Sequence, residues 1–227
     1  IIIHDDGSID EKSADLIESK FSGLKVLRKE DADKMIENFP GLTEKVKNYR
    51  FRGHIMIMQF IDIFLLSGAE NIIVYDSDIL FYKKPDEVVK FFEEIEPPDA
   101  LISPQSGNYD LKIDKNYSGK YKIEEKRVGY MNPGLIIYKK QAIKFENFLE
   151  YFDYTTRETK DYFVGMAAWG CLVSQTNFNF LPIHRYHIKG RLTKDTVMKH
   201  FTSPRRHELY AYGIDLAINK MKKYVLQ

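Results

Sequence analysis

The sequence predicts an α/β fold built on a mainly parallel sheet. Short runs of β-branched and aromatic residues alternate along the chain with segments of helical periodicity. The run Ile72-Ile73-Val74-Tyr75 is apolar without a break, as a strand buried on both faces would be. No internal repeat or linker interrupts the pattern, so residues 1–227 are expected to form a single domain.

Taken in order, Ile1 to His4 reads as a strand and Asp5-Asp6-Gly7-Ser8 as the turn after it. Ser8 and Glu11 have capping-box spacing and open a helix to about Lys20. Leu24 to Leu27 is a second strand, and Glu30 to Asn38 a helix closed by Pro40-Gly41. Gly53 to Leu66 is apolar nearly all round, which predicts a buried helix ending at Ser67-Gly68. After the Ile72–Tyr75 strand, Pro85-Asp86 starts a helix over Glu87 to Glu94, stopped by Pro97-Pro98. Ala100 to Ile102 and Gly134 to Tyr138 are strands, separated by a polar stretch, Pro104 to Tyr130, whose length suits a lid or binding segment. Gln141 to Tyr154 and Tyr162 to Gln175 are helical, Phe178 to Ile183 and Val197 to Phe201 are late strands, and Glu208 to Leu226 is a C-terminal helix.

Composition narrows the function. The 227 residues carry a formal charge of +1, without the basic excess of a nucleic-acid binder. One cysteine, Cys171, allows neither an internal disulfide nor a multi-cysteine zinc site and fits a reducing compartment. The longest apolar stretch, Ile55 to Leu66, contains Gln59 and Asp62 and is too short to cross a bilayer. The chain opens on Ile1-Ile2-Ile3 with no initiator Met, as a fragment of a longer polypeptide would. The expected location is cytoplasmic, with any attachment to a membrane face supplied by the rest of that polypeptide.

The most informative phrase is Asn71 to Pro85, NIIVYDSDILFYKKP. It places Asp76 and Asp78 one residue apart where a strand should leave the sheet, at the carboxyl end that faces the ligand crevice in open α/β folds. Two hard oxygen donors there suit a divalent metal, and a metal suits a phosphate-bearing substrate. Asp also favours turns and caps by bonding nearby backbone, so the triplet acquires meaning from its setting. Two later segments belong with it: Asn132-Pro133-Gly134, which also reads as a plain turn into a strand, and Lys199-His200-Phe201-Thr202 with Arg205 and Arg206 close behind. Those cations can meet a diphosphate or simply form a solvated helix start.

In this order the motifs resemble the GT-A fold glycosyltransferases, metal-dependent enzymes with nucleotide-sugar donors, and most closely the glycogenin and bacterial galactosyl/glucosyltransferase branch. The resemblance covers Ile1 to about Gly213. It implies a Rossmann-like three-layer fold, with Asp76-Ser77-Asp78 holding Mn²⁺ (or Mg²⁺) against the donor diphosphate. It also implies Asn132 near the donor sugar, Gly134 admitting close approach, and His200 as a third metal ligand. Asp6, in a D-D-G-S turn, is the implied contact to the nucleotide base, and Gln59 stands where a donor-contacting Lys or Arg is common. Arg50, Arg52 and His54 lie near enough in sequence to substitute for that cation. Lys199 and Arg205 are the expected diphosphate cations, and Trp169 is either a sugar-stacking ring or a core residue. His184 and His187, at a strand end, read as structural.

Besides Gln59, two further departures from the family pattern matter. Its first strand should precede Ile1 and is absent. Ala167-Ala168-Trp169-Gly170 occupies the segment that often holds an acidic or amide catalytic residue, with Glu158 and Asp161 the nearest carboxylates. The activity the resemblance implies is transfer of a sugar from a nucleotide sugar, a UDP-sugar by that resemblance, to a carbohydrate, lipid or protein hydroxyl, and the missing base favours retention. Two alternatives stay open: a GT-A-like binding module without catalysis, and a haloacid dehalogenase-type phosphatase with Asp76 as nucleophile and Asp78 as acid/base. The phosphatase motif fits less well, because Leu80 stands where Thr or Val is usual.

Overall fold

The computed structural model describes residues 1–52, 56–105, 129–148, 151 and 161–225. The chain divides into two compact units, Ile1–Gly68 with Lys160–Gly165 and Ala69–Thr159 with Met166–Gln227. Most of the Pro104–Tyr130 segment, together with His54 and Glu158, lies outside the described residues. Among those described, no helix is long and apolar enough to cross a membrane.

In the first unit, β1 (Ile2–His4) pairs in parallel with β2 (Lys25–Leu27), Ile3 opposite Val26. The connection carries α1 (Glu11–Lys20). Its cap is Asp10, whose carboxylate accepts from Ser13 N–H at 2.7 Å, so the expected Ser8–Glu11 box is not formed. The reason is local. Residues 5–9 wind around the buried Asp5 carboxylate, which accepts from Gly7 N–H at 2.8 Å and Ile9 N–H at 3.1 Å. Gly7 sits at φ +95°, a conformation that a side chain would strain.

Three helices complete this unit: α2 (Lys29–Glu37), α3 (Glu44–Arg52) and α4 (Met56–Leu66). No apolar stripe in the sequence marks α3, in which only Val46 and Arg50 are buried. α4 carries the expected apolar set, with Ile57, Met58, Phe60, Ile61 and Phe64 buried. It also buries Asp62 completely. A carboxylate in such a place needs partners. Arg50 donates to both of its oxygens, Nε to Oδ1 and Nη2 to Oδ2, each at 2.6 Å. His4 Nε2 lies 2.9 Å from Oδ2, and Arg50 also pairs with Asp33 at 2.9 Å. Arg50 is therefore buried and committed to two carboxylates, which removes it from the cations expected to stand in at Gln59. Gln59 itself is half-buried on α4. We predict that Asp62→Ala destabilises the protein by about 3–5 kcal/mol, because it strands a buried guanidinium; denaturant unfolding with a fitted m-value measures the loss.

The second unit corrects the expectation of a mainly parallel sheet. Its four-stranded sheet runs β3 (Asn71–Tyr75), β6 (Met131–Lys139), β5 (Ala100–Pro104), β7 (Phe178–Phe180). Both β3 and β5 are antiparallel to β6, and only β5 and β7 are parallel. A three-stranded sheet runs β4 (Ile79–Phe81), β9 (Met198–His200), β8 (Tyr186–His187), with β4 antiparallel and β8 parallel to β9. Parallel neighbours need same-direction crossovers, whereas β6 enters between β3 and β5 with its direction reversed. β3 also lacks two buried faces. Ile72 and Val74 are buried while Ile73 and Tyr75 are 43% and 52% exposed, the alternation of a one-faced strand. The core joins Ile79, Val88, Phe91, Leu135, Ile137 and Val197.

β6 is longer than Gly134–Tyr138, and Asn132-Pro133-Gly134 lies inside it rather than in a turn before it. Its pairing with β5 steps from Ile102↔Ile136 to Ser103↔Asn132, so Pro133, Gly134 and Leu135 bulge from that side of the ladder. A bulge is where an interior strand tolerates proline. Helices α5 (Asp86–Glu93) and α6 (Asp161–Val173) match expectation closely. The expected helix from Gln141 begins as a 3-10 turn, Lys140–Ala142, and is helical over 145–148. After β9 the chain passes through a 3-10 turn (Ser203–Arg205), an α turn (Arg206–Glu208) and a π turn (Leu209–Gly213) into the C-terminal helix Ile214–Val225.

Candidate metal centre

Four local features of the second unit converge on one point. The first is the turn after β3. Ile79 N–H donates to Asp76 O at 3.2 Å, closing a turn with Ser77 exposed at its apex and both carboxylates flanking it. The second is the β4–β9 ladder, which sets Ile79 opposite His200 and lets Phe201 N–H donate to Asp78 O at 2.8 Å. His200 is thereby held beside Asp78. The third is the β6 bulge carrying Asn132 and Gly134. The fourth is the short helical turn that begins at Arg206.

Asp76, Asp78 and His200 can each offer one ligand atom, and these atoms lie within 4.8 Å of one another. His200 Nε2 is 2.9 Å from Asp78 Oδ1 and 3.4 Å from Asp76 Oδ2. Asp78 and His200 are buried, and Asp76 is the solvent-facing member at 26% side-chain exposure. Burial by itself would raise the Asp78 carboxyl, but the hydrogen bonds and charge of His200 and Arg206 outweigh it and hold the group below the ordinary carboxylate range.

The orientation of the imidazole follows from Asn132. Gly134 N–H donates to Asn132 Oδ1 at 2.9 Å, and His200 Nδ1 lies 3.1 Å from the same oxygen. A backbone N–H can only donate, so the shared atom must be the carboxamide oxygen, and Nδ1 must carry the hydrogen. That leaves Nε2 aimed at the two carboxylates. A metal-ligating histidine whose other ring nitrogen donates to a fixed acceptor is the usual arrangement in metal sites. Two carboxylates with an imidazole suit Mn²⁺ and leave Ca²⁺, which prefers an all-oxygen shell, a poorer match. The residues present fit a divalent ion.

The space beside Gly134 is filled by the His200 ring. A Cβ there would stand 2.4 Å from His200 Cε1 and Nδ1 and 2.7 Å from Asn132 Oδ1. The close approach this glycine admits is that of the His200 ring.

The remaining expected site residues are placed as follows. Lys199 points away from the triad, as strand alternation requires for a neighbour of His200. Its buried ammonium donates to Glu208 at 2.9 Å and lies 4.7 Å from the centre of the Phe201 ring. Arg205 also pairs with Glu208, at 3.5 Å. Glu208 is a hub. Its hydrogen bond from Tyr212 at 2.6 Å, then that from Lys199, pull its carboxyl down to about 2. Arg206 is the cation that reaches the triad, its Nε donating to Asp78 Oδ2 at 2.9 Å. The two expected diphosphate cations thus meet a carboxylate on the other side of β9, and the next residue along takes the place beside the triad.

Trp169 is a core residue. It is 4% exposed, packs edge-on against Tyr138 at 5.2 Å, and lines a small apolar cavity with Ile102, Met131 and Pro133. A sugar has no access to its face. Ala167 and Ala168 beside it are fully buried. His187 is structural, bonded through Nδ1 to Lys189 O and through Nε2 to Thr196 Oγ1. Asp6, in the first unit, is exposed and accepts from Ser8 N–H at 3.0 Å.

No family model matches the chain, and no curated protein matches it. Among solved structures it is similar to that of the galactosyltransferase LgtC in complex with donor and acceptor sugar analogues. The two are 10% identical, the match covers 95% of this chain and 82% of that one, and the TM-score is 0.48. The chemistry of the centre rests on its own geometry.

That geometry makes Gly134 a sensitive probe. Gly134→Ala displaces the His200 ring from Asp78 and is expected to weaken Mn²⁺ binding by about 10- to 100-fold, the usual cost of disturbing the support of a metal ligand. Titration calorimetry checks the affinity, and circular dichroism checks that the variant remains folded.

Proposed function

We propose that the chain is a metal-dependent glycosyltransferase of GT-A type, moving a sugar from a nucleotide-sugar donor, with UDP-sugars the first candidates, to an acceptor hydroxyl. The observation that carries this reading is the convergence of Asp76, Asp78 and His200, with the imidazole turned by Asn132 so that Nε2 faces both carboxylates. The order of the motifs along the chain supports it. The reading takes residues 1–227 as one GT-A-like domain.

A divalent ion held by Asp76, Asp78 and His200 would supply Lewis acidity and a template for the departing diphosphate. The chain's own residues do the rest. Asp78, deep and bonded on both oxygens, fixes the position of the centre, and Asp76 presents its carboxylate to solvent on the entry side. Asn132 keeps the hydrogen on His200 Nδ1 and so keeps Nε2 available. Arg206 is the cation best placed to meet the diphosphate, with 60% of its side chain exposed. Asp6 as a contact to the base belongs to the same proposal. The fully buried Ala167-Ala168 pair puts no carboxylate at the position where the family often carries one, which favours retention of anomeric configuration.

The test is Mn²⁺-dependent hydrolysis of a panel of nucleotide sugars, with Asp78→Ala in parallel. The expected result is cleavage of one donor, lost to background in the variant and on chelation. Donor binding without turnover would assign the chain to binding rather than catalysis. Equal turnover by wild type and Asp78→Ala would remove the metal centre from the reaction.

A further inference from the structure

The Asp78 carboxylate already has two side-chain partners. Its Oδ1 faces His200 Nε2 at 2.9 Å and its Oδ2 accepts from Arg206 Nε at 2.9 Å. The two partners are unlike in setting. His200 is buried and fixed by Asn132, whereas the Arg206 side chain is 60% exposed and reaches in from the first residue of a single α turn. That turn follows a 3-10 turn and runs on through a π bulge into the C-terminal helix, so Arg206 sits at the N-terminal end of a longer helical run. It is anchored from behind by Glu208, two residues on, through Lys199 and Tyr212.

The geometry points to Arg206 as an internal counter-cation of the metal centre. It neutralises Asp78 in the metal-free protein, lowers the affinity for a divalent ion, and loosens from Asp78 when one binds. This rests on the reading of Asp76, Asp78 and His200 as metal ligands. The physical argument is competition for one charge. A divalent ion at the triad draws electron density from the same carboxylate that Arg206 uses, and it places two positive charges within a few ångströms of the guanidinium. A contact that each partner weakens for the other is a coupling between them, and it is reciprocal. Metal loading and release of Arg206 are then two views of one equilibrium, and the segment 203–208 is the element that responds.

The experiment measures Mn²⁺ affinity directly, without substrate, by titration calorimetry and by the free-ion electron paramagnetic resonance signal. Wild type, Arg206→Gln, Arg206→Lys and Asp76→Ala are compared at low and high salt. Arg206→Gln is expected to bind Mn²⁺ roughly three- to thirtyfold more tightly than wild type, the scale of one unit charge near a protein surface. Arg206→Lys should stay near wild type, and the gap should narrow at high salt as the charge is screened. Unchanged or weaker binding by Arg206→Gln, with Asp76→Ala still impaired, would overturn the counter-cation and leave the metal centre standing. No Mn²⁺ binding by wild type or by Arg206→Gln, or binding indifferent to Asp76→Ala, would overturn both.

Discussion

The centre depends on one oxygen. Asn132 Oδ1 accepts from Gly134 N–H and from His200 Nδ1, and in doing so joins a bulge in β6 to a side chain of β9, a strand of the other sheet. Asn132, paired with Ser103, borders the bulge, the proline within it has no N–H to leave unpaired, and the glycine leaves room for the imidazole. With the ring pinned by its Nδ1 side, Nε2 has one direction left, toward the carboxylates of the turn after β3. Three pieces of backbone that are far apart in sequence thereby bring one ligand atom each from Asp76, Asp78 and His200 within 4.8 Å of one another.

The charges are sorted by the period of a strand. Met198, Lys199 and His200 are all buried, and alternation sends His200 to the carboxylates and Lys199 to the opposite side. A buried ammonium needs a counter-charge, and Glu208 supplies it with help from Tyr212. Two ion pairs, Lys199–Glu208 and Arg206–Asp78, then fasten the same short turn from two directions. The stability of that turn and the electrostatics of the centre are not separable, because residues two apart carry both.

What was legible in the sequence follows from which physics is local. The carboxylates after β3 were readable because an apolar strand, a D-x-D and a second apolar pair are neighbours in sequence. The direction of the strands was not, since β6 inserts between β3 and β5 through contacts that no local pattern encodes. Asn132-Pro133-Gly134 was visible as an irregularity, but turn and bulge share the same residues, and only the register with β5 distinguishes them. His200 entered through a family resemblance; the strand period around it would also have turned Lys199 away, a signal present in the sequence. Arg205 and Arg206 could not be ranked without the exact angle of a turn. Asp62 looked like a mere interruption of an apolar helix, and its meaning lies in Arg50, twelve residues earlier.

The measurement that bears most directly on the centre is pulsed electron paramagnetic resonance of Mn²⁺ bound to protein labelled with ¹⁵N-histidine. Coordination as described gives one directly bound histidine nitrogen, with the coupling lost in His200→Ala and kept in His187→Ala. A spectrum without histidine nitrogen, or a coupling that survives in His200→Ala, would contradict the assignment of Asp76, Asp78 and His200 as the metal ligands.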